Sequence, residues 1–183
     1  MESRWTTVTE SSFEHERRGL EAIRTRLPDV DPWLAWSNFT FTAATGHIRE
    51  VDLLVVAPNG VHLVELKDWS GRLYSRNGDW VQERQRGGTL YHRSPLHLAN
   101  QKSKELAGLL ASHGVRVFVG NAVCLTNPGL RSNRSISSRT VWVFARSPSG
   151  SSNRRPGLVR HTALPTKTRT PWDARSPASS LLF

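Results

Sequence analysis

The chain has 183 residues, one cysteine and a formal net charge of +10. That length suits one domain with an appendage. The lone Cys124 excludes an internal disulfide and fits a reducing, cytoplasmic setting, and no apolar run approaches the ~20 residues of a membrane span.

In chain order, Met1 to Thr9 is polar and carries no signal-peptide pattern. Ser11 and Ser12 are capping residues for a helix beginning near Phe13 and ending at Pro28, with Glu14 and Glu16 in its first turn. Phe13, Leu20, Ile23 and Leu27 form its apolar stripe, and Glu16 lies on the same stripe, either snorkelling at its edge or facing inward for a purpose. Trp33 to Thr42 reads as a strand, and Gly46-His47 as a turn. Two apolar runs follow, Glu50 to Val56 and Val61 to Lys67, separated by the turn signal Ala57-Pro58-Asn59-Gly60. They predict an antiparallel hairpin. Short strands around Arg72 and Trp80, with turns at Asn77-Gly78 and Gly87-Gly88, lead to a helix over 96–110. Its apolar side is read as Leu98, Leu106, Leu109 and Leu110. Val115 to Leu125 is a last apolar strand, and its Cys124 reads as a core thiol.

The character changes after Pro128. Ten basic residues and one acid, Asp173, follow it, so residues 1–128 are nearly neutral and the excess charge belongs to the tail. Residues 129–183 are expected to form a basic, Ser/Arg/Pro-rich, mostly disordered tail, in which only Val141 to Phe144 has strand character. A reading frame broken near residue 130 is one explanation of the shift. The fold expected for the rest is α/β, a central mixed sheet flanked by helices.

The chemistry concentrates in the hairpin. Asp52, Glu65 and Lys67 are charges set in strongly apolar strands, where an unpaired charge is costly. With the turn centred on Pro58-Asn59, Asp52 lies opposite Glu65; with Asn59-Gly60 at the centre it lies opposite Lys67. Either register puts all three on one face, because side chains alternate with a period of two. Asp52, Glu65 and the carbonyl of Leu66 are oxygen donors suited to Mg²⁺ or Mn²⁺. Lys67 is placed to orient or deprotonate a water, and Glu16 to reach the ion or its waters if its helix packs alongside. The two carboxylates and the amine, Asp52, Glu65 and Lys67, are the minimum for cutting a phosphodiester. Arg17, Arg18, Arg72, Lys102 and Lys104 either contact phosphates or are solvated, and Trp69 and Trp80 either stack on bases or pack at a sheet edge. The histidines form no zinc set, and without clustered cysteines a structural zinc site is excluded.

Glu50-Val51-Asp52, the apolar run, Asn59-Gly60, Val64-Glu65-Leu66-Lys67, Gly71, Trp80, Pro95 and Asn100-Gln101 occur in one order. Over residues 10–128 this resembles the nuclease-related domain, a branch of the PD-(D/E)xK nuclease superfamily. The resemblance implies a restriction-endonuclease-like fold acting on DNA with Mg²⁺ or Mn²⁺. The family acids fall on Asp52 and Glu65, its lysine on Lys67, its helical acid on Glu16 and its downstream glutamine on Gln101. Trp5 to Thr9, Phe13 to Glu16, Ala35 to Phe39 and Val51 to Val56 also resemble the amino end of the large serine/threonine kinases of phage growth limitation and related BREX-type defence systems. This implies proteins of a phage-defence system as partners. The chain lacks a Gly-rich loop with its strand lysine and a His-Arg-Asp segment, so no kinase activity is expected. The alternative is a non-catalytic nucleic-acid-binding or regulatory module, a fragment of a larger kinase.

Overall fold

The computed structural model describes residues 4–133, 136 and 140–143. Within them lie β1 (Trp5–Thr7), α1 (Glu14–Arg24), β2 (Leu34–Thr42), β3 (Ile48–Ala57), β4 (Gly60–Lys67), β5 (Arg72–Arg76), β6 (Asp79–Glu83), β7 (Thr89–His92), α2 (Pro95–Ser112), β8 (Val119–Leu125), β9 (Arg131–Ser132) and β10 (Val141–Val143). The strands form two sheets, one ordered β1-β2-β3-β4-β8-β10 and a smaller one ordered β7-β6-β5-β9. In the larger sheet β2, β3 and β4 are antiparallel, whereas β1, β8 and β10 join their neighbours in parallel. The expected mixed sheet with helices packed against it is thus the observed architecture.

The hairpin closes through a two-residue loop, Pro58-Asn59, with Ala57 paired to Gly60 and the ladder running to Leu53–Val64. This is the first of the two registers open from sequence. Gly60 has a φ of 125°, and a Cβ there would stand 2.6 Å from the Phe118 carbonyl oxygen, so both conformation and space demand glycine.

Strand β4 is buried on both faces, as its near-continuous apolar run requires. Val64 and Leu66 join Leu20 and Ile23 of α1, with Leu53, Val55, Ala122 and Cys124. Leu63 turns the other way, to Leu106 of α2, Val51 and Phe41. Cys124 is fully buried in this cluster, as expected of a core thiol, and that burial pushes its thiol up to about 12.

A third core lies between β8 and the smaller sheet. Val123 and Leu125 pack there with Leu73, Trp80, Leu130, Ile136 and Val141. Packed structure therefore continues past the boundary expected at residue 128, and Val141–Val143 forms the anticipated strand by pairing with β8. The disorder expected further along, from residue 144 to 183, lies outside the described residues.

Three local expectations are corrected. The buried side of α2 carries Pro95, Ala99, Lys102, Ser103 and Leu106, while Leu98 is exposed. Small residues at 99 and 103 let the helix approach the sheet, and that approach sets its rotation. Phe13 is exposed and caps α1 from an extended conformation instead of joining its stripe. The last central strand starts at Val119, leaving Val115 and Phe118 at the surface.

Candidate active site

Three elements converge where β3 and β4 part company. The regular alternation of β2 and β3 breaks at Asn38 and Asp52. Ser37 pairs with Leu53 and Phe39 with Val51, but the two residues between them are not paired. Asn38 has a φ of 54°, a left-handed conformation that asparagine tolerates better than most residues. Across this break Val51 belongs to the α2 core and Leu53 to the α1 core, although they are two residues apart. The break takes Asp52 out of the ladder, and its Oδ2 accepts a hydrogen bond from the Leu66 backbone N–H at 2.7 Å.

A cleft of about 300 Å³ opens there. Asp52, Leu66 and Lys67 line it from the sheet, His15 and Glu16 from α1, and Asp68, Trp69 and Thr126 from the adjoining loops. Helix α1 reaches the cleft because Gly19 lets it lie close to the sheet: a Cβ at this position would meet Thr126 Cγ2 at 2.8 Å and Leu66 Cδ2 at 3.2 Å. Ser11 does not cap the helix backbone. Its Oγ accepts from the Phe13 N–H at 3.0 Å and donates to Glu16 Oε2 at 2.7 Å, which fixes the carboxylate. At the rim Trp69 stacks on His92, with ring centroids 4.2 Å apart and an interplanar angle of 17°. Buried Gln82 holds both neighbours, donating to the Ser70 carbonyl at 2.7 Å and pairing with His92 Nε2 at 3.1 Å.

The electrostatics are dominated by two carboxylates. Burial, and then the charge of Glu65, push the Asp52 carboxyl up to about 6, against the opposing pull of the Leu66 N–H, Lys67 and Lys102. Glu65 is 3% exposed. Its Oε1 is hydrogen-bonded by Lys102 Nζ, and its Oε2 lies 3.6 Å from Lys67 Nζ. Lys102 is itself buried, and its ammonium also donates to the Glu50 carbonyl at 2.7 Å.

Of the residues singled out from sequence, Asp52, Leu66, Lys67 and Glu16 line one cleft, and Glu65 stands behind it in contact with Lys67. Gln101 is not brought to this place. It is exposed and donates to Glu105 Oε1 at 3.2 Å. Glu105 in turn takes two hydrogen bonds from Arg49, at 2.7 and 2.8 Å, so Gln101 supports the pair that fastens α2 to β3. Lys102 is neither solvated nor free for phosphate, because the helix rotation turns it inward. Arg17 is spent on the Ser11 carbonyl at 2.6 Å, and Arg18 lies 3.6 Å from Glu14. Trp80 is core, whereas Trp69 stands at the cleft. Asp68 and His15 join the cleft in addition to the residues expected there, and of the two only Asp68, directly after Lys67, has a signal in the sequence.

No group of three or more His, Cys, Asp and Glu that could cage a metal occurs among the described residues. The donor set suits a different kind of site. Mg²⁺ keeps much of its water and takes one or two carboxylates plus substrate oxygens. Asp52 and Glu65 fit that demand, and the raised Asp52 carboxyl marks negative charge that a cation would relieve.

The family model described as "Nuclease-related domain" matches residues 11–126. A Streptomyces coelicolor protein named "Probable kinase PglW" is 68% identical over 131 residues, which are 71% of this chain and 8% of that protein. The chain thus spans less than a tenth of the length of this relative. No solved structure matches it. No helix among the described residues is long and apolar enough to cross a membrane.

Proposed function

The chain belongs to the nuclease-related domain family, and from that premise we propose that it hydrolyses DNA phosphodiesters with a divalent cation, in the service of phage defence. The observation that carries this reading is the Asp52 carboxylate. It is drawn out of its strand pairing into a cleft, beside a second buried carboxylate and a lysine.

Asp52, Glu65 and the Leu66 carbonyl would hold Mg²⁺ or Mn²⁺, which would supply Lewis-acid polarisation of a phosphoryl oxygen and a more acidic water. The Leu66 N–H orients the Asp52 carboxylate, since a carboxylate accepting a backbone donor is fixed in direction as well as charge. Lys67, on the same strand face as Glu65, presents an ammonium at the cleft for the attacking water and for developing negative charge. Glu16, held by Ser11, places a further acid on the opposite wall. Trp69 offers a flat apolar surface at the rim, and its packing on His92 and Trp80 fixes its plane. An unpaired base has a π-face suited to such a platform.

A second reading is favoured by one observation: both Glu65 oxygens face lysines of the same chain. A site so neutralised suits a module that binds nucleic acid, or regulates a larger kinase, and cuts nothing. Incubating the full chain with supercoiled plasmid, with and without Mg²⁺ or Mn²⁺, separates the two. Metal-dependent nicking lost in Asp52→Asn and Lys67→Ala supports hydrolysis. DNA binding by a folded protein with no nicking in either metal supports the module.

A further inference from the structure

Lysine is rarely buried unless it is paired. Lys102 is 7% exposed, comes from α2 and ends against Glu65 on β4. It is the one lysine hydrogen-bonded to that carboxylate among the described residues, because Lys67 stands at 3.6 Å and contributes charge without a hydrogen bond. Its second donor is committed to the Glu50 carbonyl, on the stretch of β3 that leads into Asp52. One ammonium therefore ties the helix to both strands that carry the acids.

We propose that Lys102 is the resident cation of the Glu65 carboxylate, and that a divalent ion loads the cleft only by displacing it. This rests on the metal-dependent reading and adds a threshold to it. Lys102 is hydrogen-bonded to Glu65, whereas Asp52 has a backbone N–H for a partner and no ion pair among the described residues. A dication shared by Asp52 and Glu65 satisfies both, so it wins once its concentration offsets the loss of the Lys102 pair. The Glu50 carbonyl remains as a partner for the displaced ammonium, which lowers the cost of the exchange. Lys102 is a positioning residue in this account. It holds Glu65 in place while the ion is absent and sets how much metal is needed to replace it.

The test uses the full chain and MnCl₂. Isothermal titration measures Mn²⁺ affinity for the unmodified protein and for Lys102→Met. Brief acetylation, read by mass spectrometry, measures the reactivity of the Lys102 amine in the unmodified protein, with exposed Lys104 as the internal reference. The account expects Mn²⁺ to raise Lys102 acetylation severalfold without changing Lys104. It expects Lys102→Met to bind Mn²⁺ tighter by about tenfold or more, at the scale of residues that support a metal ligand. Binding by Lys102→Met alone is the strong form of the same result. Mn²⁺ binding with unchanged Lys102 reactivity and equal affinities overturns the proposal and leaves the metal-dependent reading standing. Absence of binding in both proteins overturns both. Should Lys102→Met not fold, acetylation of the unmodified chain decides alone, since it requires no substitution.

Discussion

Asp52 holds a charge its surroundings do not want. Its carboxyl titrates near 6 in the folded chain and near 3.8 when unfolded. Between those values the folded state binds the extra proton, so the contribution of Asp52 to stability is full below about pH 4 and is lost as pH rises through 6. Asp52→Asn removes that loss while keeping an acceptor for the Leu66 N–H. Metal-free urea unfolding should show the variant more stable than the parent at pH 8, on the order of 1–3 kcal/mol, with the difference vanishing near pH 4. An equal difference at both pH values would show that the carboxylate is not under this strain. Removing the Glu65 carboxylate has the opposite effect on stability. Glu65→Ala leaves the Lys102 ammonium buried without its carboxylate and should cost about 3–5 kcal/mol, whereas Glu65→Leu combined with Lys102→Met should recover most of it. Denaturant midpoints of the three proteins check this. For the same reason, lost activity in Glu65→Ala alone would say little about catalysis. Asp52, Glu65 and Lys67 were legible in the sequence because charges interrupt apolar strands, and because both candidate registers agreed on their face. Lys102 was not legible, since nothing in a Lys-Ser-Lys stretch tells which lysine turns inward.

At the scale of elements, the cleft depends on two backbone adjustments. Gly19 lets α1 settle on the end of β4, and this contact carries Glu16 and His15 to the cleft. Gly19→Val should push the helix outward, costing about 1–3 kcal/mol by overpacking. Its thermal midpoint should fall accordingly, and any nicking activity should fall further than stability alone explains. Asn38 is the other adjustment. Its left-handed conformation stands where β2 and β3 release Asp52, and its buried amide oxygen and nitrogen have no hydrogen-bond partner among the described residues. Asn38→Gly keeps that conformation available, whereas Asn38→Val opposes it at a cost of roughly 1–2 kcal/mol. Unfolding measurements should therefore rank the parent and Asn38→Gly above Asn38→Val, and equal stability of the two variants would remove the argument. Turn chemistry made the hairpin readable from Pro58 and Asn59. The rotation of α2 was readable only in part: Leu106, Leu109 and Leu110 do face the core, but Leu98 does not, and Ala99, Lys102 and Ser103 take the buried side in the first half of the helix. The strand break left a single mark in the sequence, Asn38 itself, a poor β-former set between Trp36 and Phe39.

For the whole molecule, the family match and the packed domain cover nearly the same stretch, but the domain exceeds the match at both ends: β1, before residue 11, pairs with β2, and packing also continues at the carboxyl side. The match ends at residue 126, but Leu130, Ile136 and Val141 are buried against β8 and the smaller sheet. A chain cut after residue 128 should lose these contacts and the β10 pairing, and unfold at a lower temperature than the full chain. Equal midpoints would confine the folded unit to the matched residues. Composition hid most of this extension, because Leu130 and Ile136 stand alone among serines and arginines, and only the run beginning at Val141 left a trace. The mixed sheet was legible because its central strands announce themselves by continuous burial. The central claim is that Asp52 and Lys67 form a metal-dependent phosphodiesterase site, and plasmid nicking by the full chain in Mg²⁺ or Mn²⁺ tests it most directly. The account predicts nicking that chelation abolishes and that Asp52→Asn and Lys67→Ala each lose while remaining folded. Intact plasmid with a folded parent protein that still binds DNA, or nicking undiminished in both variants, would contradict it.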